Sequence, residues 1–364
     1  MIPRKELGIA VIGSGRIGML RATLAAAHPA VRFIAVSDRD PERARALADR
    51  VGAQFHTGSN LEAMSRPEVN AVIVSTLEIE HSEPVLQALD LGKPVLVEKP
   101  IAINLHEADR LIAAAAKSGG SLHVGYSRRF KKRYLLAKEQ IVQGRLGKIN
   151  GAAARVYNSR SQAMQALSRM PAEANPVSGL TYYIDLMNWL LEGNEAVEVV
   201  ARGQRGVIQE SGFGSPDVVG VLLTYADGAV ATLGVSYALP PKYPSLGHAA
   251  RVEILGSDGV MLLDDDHTDQ IMYSEHGAEH VYIPGHRANM VFLGSGTPGD
   301  WALGEFYGPV ATESRAWLDH LATGRPCVLA TAKDARKVVE ITMAIEESLR
   351  TRKAIELPVS GGGK

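Results

Sequence analysis

The chain has 364 residues, with 39 Lys plus Arg against 40 Asp plus Glu, for a formal net charge of −1. That balance leaves no electrostatic footprint for DNA, RNA or an anionic membrane surface, and 46% apolar residues exclude wholesale disorder. The length exceeds what one hydrophobic core serves, so two domains are expected. The single cysteine, Cys327, excludes an intrachain disulfide framework and a cysteine-rich metal site.

From the start of the chain, short apolar runs alternate with helical patterns. Leu7–Ile12, Arg32–Ser37, Ala71–Ser75, Pro94–Val97 and Ser121–Val124 read as strands. Ile17–Ala27, Pro41–Val51, Ser82–Leu91 and Leu105–Lys117 between them have helical spacing, with Asp40 and Asn104 as N-cap residues. Such alternation predicts βαβ units and a parallel sheet. A basic stretch, Arg128 to Arg133, opens a further helix to about Val142.

Beyond Lys148 the chain becomes strand-rich, at Gly151–Val156, Val197–Arg202, Val218–Tyr225, Ala229–Ser236, Ala250–Leu255, Val260–Leu263 and Val281–Ile283. Ala226-Asp227-Gly228 and Ser257-Asp258-Gly259 are hairpin signals, so a large antiparallel sheet is expected. One helix, Leu180–Leu191, interrupts it, and helices return at Glu305–Leu321 and Ala332–Arg350. Residues 275–302 show little periodicity and read as a long excursion over the surface. Asp264-Asp265-Asp266-His267 reads as a solvated turn. No spacing of His, Cys, Asp or Glu completes a metal-ligand set, so no metal is expected.

Three short motifs carry chemistry. Gly13-Ser14-Gly15-Arg16-Ile17-Gly18 is a G-x-G-x-x-G between a strand and a helix. Gly13 allows the tight turn, Gly15 admits a pyrophosphate and Gly18 permits close packing, while the helix N-terminus offers free N–H groups to phosphate. Asp38 ends the second strand, where a carboxylate binds ribose hydroxyls and repels a 2′-phosphate. NAD is therefore expected over NADP, with Arg39 as the residue able to stack on adenine or reach a phosphate instead. Glu98-Lys99-Pro100 closes an apolar strand, which points Lys99 into the crevice where such sheets bind ligands; a solvated turn lysine is the other reading.

With these motifs in order the sequence resembles the Gfo/Idh/MocA oxidoreductases, the family of glucose–fructose oxidoreductase and inositol dehydrogenase. The resemblance runs through Gly13–Gly18, Val74-Ser75-Thr76, His81, Gly92-Lys93, Glu98-Lys99-Pro100 and Gly125-Tyr126-Ser127-Arg128-Arg129-Phe130. It continues through Glu313, Trp317-Leu318, Gly324-Arg325-Pro326, Ala335 and Leu357-Pro358. It implies an N-terminal Rossmann domain over residues 1–126. A C-terminal α/β domain with a large open, mostly antiparallel sheet follows over 127–358, its final helices packing back toward the first. It implies hydride transfer between NAD(H) and a hydroxyl or carbonyl of a sugar, cyclitol or related polyol. Lys99 becomes the active-site lysine, with Ser75, Thr76, His81 and Glu98 beside the cofactor.

Relatives carry an Asp and a His four residues apart on a helix of the second domain. Aligned on Asp185 and the run Leu186–Leu191, those positions hold Ser178 and Tyr182 here. Glucose–fructose oxidoreductase also has tyrosine at the second position. A one-residue slip moves the role to Tyr183 or Thr181, and Tyr182 as a packed core residue is the plain alternative. Free tyrosine titrates at about 10 and free lysine at about 10.4, so either needs its environment to act near neutrality. The assignment is Tyr182 as acid–base group with Lys99 orienting the substrate oxygen, or the reverse. Arg128, Arg129, Arg155, Tyr157 and Asn158 are substrate-side polar candidates, with a structural domain-bridging role the favoured reading for Arg128 and Arg129. Two other classes stay open: a glycosidase that retains NAD and works by transient oxidation, and a cofactor-binding sensor without turnover. The expectation is a cytoplasmic homodimer or homotetramer without nucleic-acid or membrane partners.

Overall fold

The computed structural model describes residues 5–169, 177–244, 249–266, 270–280, 283–294 and 298–359. Two compact units form, one of residues 1–130 with 301–339, the other of 131–300 with 340–364. The chain begins with β1 (Leu7–Ile12), α1 (Arg16–Ala26), β2 (Val31–Ser37), α2 (Pro41–Val51), β3 (Phe55–Thr57), α3 (Asn60–Met64) and β4 (Ala71–Val74). It continues with α4 (Ser82–Asp90), β5 (Val95–Glu98), α5 (Leu105–Ser118), β6 (Leu122–Gly125) and α6 (Lys132–Val142). Then come β7 (Ile149–Ser159), α7 (Arg160–Arg169), α8 (Val177–Leu190), β8 (Ala196–Gln204), α9 (Val207–Glu210), β9 (Val218–Tyr225) and β10 (Val230–Leu239). Next are β11 (Ala249–Gly256), β12 (Val260–Asp264), β13 (Ile271–Glu279), β14 (Arg287–Phe292), β15 (Asp300–Ala302) and β16 (Glu305–Tyr307). The chain closes with α10 (Pro309–Thr323), β17 (Ala330–Thr331), α11 (Ala332–Thr351) and β18 (Ile355–Glu356).

In the first unit the sheet runs β17-β6-β5-β4-β1-β2-β3, parallel except for β17. This is the doubly wound order, with its switch point between β1 and β4. Helices cover both faces, so β1 and β4 are buried at every position and read as unbroken apolar runs. The predicted caps hold: Asp40 accepts from Glu42 N–H and Asn104 from Glu107 N–H. Late in the chain, α10 returns to this unit and packs on α1. Its Trp317 and Leu318, fully buried, share a cluster with Ala22, Ala25 and Leu47.

The second unit holds a seven-stranded sheet, β12-β11-β7-β10-β9-β8-β18, antiparallel except for the β7–β10 pair. Both Asp-Gly turns join hairpins as expected, β9 to β10 and β11 to β12. Alternate residues of β7, β9 and β10 are buried, and α7 and α8 pack on β7 and β10.

The structure corrects several sequence expectations. Residues 160–169, to which no element is assigned from sequence, form α7; Ser159 accepts from Gln162 N–H at its start, half of a capping box. Residues 275–302 are not a bare excursion, because β13 pairs with β14 and β15 with β16. Neither face of β13 is buried, so no period was visible there, and a register shift between Tyr273 and Ala278 breaks what there is. The final helices start at Pro309, not Glu305: Gly308 has φ 124° and Pro309 takes the first helical position. Asp265 and Asp266 are buried, not solvated. Lys131 and Arg133 neutralise the first, Arg155 and Arg251 the second. His267, and residues 281 and 282 of the expected strand at 281–283, lie outside the described residues.

Candidate active site

The glycine loop sits at the switch point and each glycine has a distinct reason. Gly13 has φ 93°, and a Cβ there would lie 2.7 Å from the Ser75 carbonyl oxygen at the end of β4. A Cβ on Gly18 would lie 1.8 Å from the Gly13 carbonyl oxygen. Around Gly15 there is open space, with nothing within 4 Å of a Cβ. Ser14 Oγ, Ser75 Oγ and Thr76 Oγ1 are buried in this region without hydrogen-bond partners among the described residues. Leaving such groups unpaired costs about 1–3 kcal/mol each. An open cradle rimmed by unused hydroxyls fits a dinucleotide phosphate, with Arg16 and Ile17 opening α1 beside it.

Asp38 is set before any ligand arrives. Its carboxylate accepts Ser14 N–H at 2.8 Å and Asp40 N–H at 3.0 Å. The N-cap of α2 is Asp40, which leaves Asp38 to the loop. Arg39 is exposed and pairs with Glu80 at 2.8 Å.

At the end of β5 the Lys99–Pro100 bond is cis. Lys99 Nζ lies 3.4 Å from Glu78 Oε1, both side chains largely shielded. Fully buried His81 faces two carbonyls, with Nδ1 2.8 Å from Pro100 O and Nε2 3.3 Å from Thr76 O. It thereby ties the turn after β4 to the turn bearing Lys99. Burial pushes its pKa below the ordinary imidazole value, against the opposing pull of the Pro100 carbonyl and of Glu78 and Glu98.

Glu98 is spent on Arg21, accepting at 2.9 Å from Nε and 2.6 Å from Nη2. Arg21 Nη2 also donates to buried Glu313 at 2.5 Å, and Nη1 donates to Ser314. Burial opposes the charge on Arg21, but the two carboxylates outweigh it and raise its pKa. Gly125 exists to admit this group, since a Cβ there would meet Arg21 Nη2 at 2.9 Å. Breaking such a buried ion set by removing one partner costs about 3–5 kcal/mol. Arg128 and Arg129 are both buried in the turn after β6, the latter 3.6 Å from Asp334.

In the second unit, β7 sends neighbouring candidates to opposite faces. Asn158 is fully buried on the helix-covered face, and neither its Oδ1 nor its Nδ2 has a partner among the described residues. Tyr157 lies on the open face beneath the Arg155 guanidinium, 4.8 Å away, which in turn pairs with Asp266 at 2.6 Å. On α8, Tyr182 is half-buried while Thr181 and Tyr183 are buried. Ser178 lies on the same helix, its side chain outside what the structure describes. Gly179 is a further contact, since a Cβ there would fall 1.7 Å from Tyr237 Oη. Two residues were thus missed: Glu78 beside Lys99, and Tyr237 reaching α8 from β10. Tyr237 reads as one more apolar position of an alternating strand; Glu78 had a signal, its place inside the Ser75–His81 segment.

Residues 7–126 match the family model described as an oxidoreductase family with an NAD-binding Rossmann fold. Residues 134–262 match the model of a GFO/IDH/MocA C-terminal domain. The myo-inositol 2-dehydrogenase of Thermotoga maritima is 26% identical over 96% of this chain and 98% of its own length. The crystal structure of GenD2 from gentamicin A biosynthesis, in complex with NAD, is 25% identical with a TM-score of 0.77, covering 97% of both chains. The scyllo-inositol dehydrogenase of Lactobacillus casei, solved with NAD(H) and scyllo-inositol, has a TM-score of 0.78 at 18% identity, covering 97% and 99%.

Proposed function

The chain belongs to the Gfo/Idh/MocA family of NAD-dependent oxidoreductases acting on CH–OH groups, and from that premise we propose that its substrate is a cyclitol of the inositol class. The observation that carries the substrate class is Asn158. A buried amide with both ends unpaired supplies one acceptor and one donor, the pair that two neighbouring ring hydroxyls require. The likeness to inositol dehydrogenases along nearly the whole chain supports the same reading.

Bound NAD supplies the hydride acceptor or donor. Gly13, Gly15 and Gly18, with the first turn of α1, hold its phosphates; Asp38 holds the ribose hydroxyls; Ser75 and Thr76 offer their unused hydroxyls. His81 keeps the Lys99 turn in place, and Glu78 holds the Lys99 ammonium. Lys99 orients and polarises the reacting oxygen. Tyr182, on the less buried side of α8, exchanges the hydroxyl proton, and Ser178 and Asn158 bind the substrate. Arg128 and Tyr157 stand as further substrate-side candidates, while Arg129 also pairs with Asp334 and Arg155 with Asp266. The chain works in the cytoplasm, which its one free thiol fits. Among the described residues no helix is long and apolar enough to cross a membrane. It self-associates through the open sheet face of the second unit.

The test is a panel of inositols, hexoses and aryl glycosides with NAD, followed at the absorbance of reduced cofactor. Net NADH with an inositol is expected, lost in Lys99→Ala. Release of the aryl group without net NADH would instead make it a glycosidase, and no turnover with retained NAD binding would make it a sensor.

A further inference from the structure

The first unit carries a cluster that belongs to no part of the dinucleotide machinery. His123 on β6, His320 near the end of α10 and Cys327 before β17 each offer a ligand atom, all within 4.8 Å of one another. We propose that these three side chains bind one zinc ion, with water in the fourth position, and that the ion fastens the end of α10 and the segment before β17 to β6.

Geometry comes first. With bonds of about 2.0–2.3 Å, a tetrahedral ion brings nitrogen and sulfur ligands to roughly 3.4–3.6 Å of one another. Closing from within 4.8 Å asks about 1 Å of side-chain movement, and all three residues are half-buried. The backbone supports the cluster, since Thr331 of β17 pairs with His123 and Ala330 with Val124, bringing the chain just past Cys327 onto β6.

Both rings are prepared as ligands. His320 Nδ1 lies 2.6 Å from the Arg325 carbonyl oxygen, so that nitrogen carries the proton and Nε2 keeps a lone pair. Metal-binding histidines are commonly oriented through such a second hydrogen bond. His123 Nδ1 is buried and has no hydrogen-bond partner among the described residues. The two rings meet edge to face, 5.7 Å between centroids, which places their nitrogens near one another. Two imidazoles and a thiolate form a borderline-soft set that suits zinc and rejects magnesium or calcium. Sequence spacing could not show it, because His123 and His320 are far apart in the chain and Cys327 completes no local motif.

The experiment uses the full chain, stripped with a chelator and titrated with Co²⁺ and then Zn²⁺. Expected are one equivalent of cobalt, a thiolate-to-cobalt charge-transfer band, and its loss on adding zinc. Cys327→Ser should abolish the band, and His123→Gln and His320→Gln should each weaken binding at least about tenfold. Zinc should raise the melting temperature of the wild type and not of Cys327→Ser. All three variants should bind NAD as the wild type does, which shows that they fold. Cobalt bound without the band, or bound by Cys327→Ser with wild-type affinity, overturns the proposal, as does an equal zinc-induced rise in melting temperature in that variant.

Discussion

Asp38 shows how one side chain sets a preference. Its carboxylate is held by two backbone N–H groups at the rim of the glycine loop. A 2′-phosphate brought there would face a fixed negative charge, while ribose hydroxyls would donate to it. Hydrogen bonds to charged groups contribute about 1.5–3 kcal/mol. Asp38→Ser should therefore weaken NAD by roughly tenfold to a hundredfold and narrow the gap to NADP. Titration of both cofactors checks this, and a wild-type preference for NADP would transfer the role to Arg39. His81 gives a second test. Its folded pKa lies below the unfolded value of about 6.5, so the unfolded chain binds the extra proton and stability falls as pH drops below 6.5. His81→Gln has no proton to take up there. Its deficit in melting temperature against the wild type should be largest above pH 7 and shrink toward pH 5; a constant deficit would mean an unshifted imidazole. At this scale the sequence was most legible where residue type and chain position coincide, as in Gly13, Asp38 and Lys99. The partners of Arg21 and His81 were invisible, because Glu313 and the Pro100 carbonyl reach them only through the fold.

Among elements, α8 decides which tyrosine faces a ligand. Helical register follows from the apolar run Leu186–Leu191, which places buried Tyr183 and Ile184 inward and leaves Tyr182 the more accessible. Tyr182→Phe should lower kcat at least about a hundredfold, the usual scale for an acid–base group, with NAD binding intact. Tyr183→Phe should lose much less. The reverse result would mean that Tyr183 moves the proton and that the alignment on Asp185 is one residue out. If Lys99 and Tyr182 serve the same oxygen, Lys99→Ala with Tyr182→Phe should lose far less than the product of the single losses. Element identity was legible wherever one face is buried: the β1 and β4 runs and the alternation of β9 and β10. It failed for β13 and β14, which pair with each other and bury neither face, so no hydrophobic period had reason to form.

For the whole molecule, the proposed self-association rests on the open face of the second unit's sheet. Leu222, Val230, Leu255, Val260 and Leu262 lie on it in register, through Thr232 opposite Leu222 and Glu253 opposite Leu262. Leu262 is 71% exposed and Leu255 48%. Six strands, with five spacings of about 4.8 Å across and eight residues of about 3.4 Å along, present roughly 650 Å². Two such faces together hide about 1,300 Å², within the range of stable interfaces. Exposed apolar residues grouped on one face and interleaved with polar ones mark an interaction site. The polar residues interleaved there, Thr224, Thr232, Arg251 and Glu253, include both charge signs, as a self-complementary surface requires. Light scattering at micromolar concentration should give a dimer or tetramer. Leu222→Asp combined with Leu262→Asp places uncompensated charge in the middle and at the edge of the face, and should release monomers that still bind NAD, since the glycine loop lies in the other unit. A monomeric wild type would overturn the assembly, and an unchanged mass for the double variant would move the interface elsewhere, to the exposed β13–β14 pair with Ile271 and Tyr273.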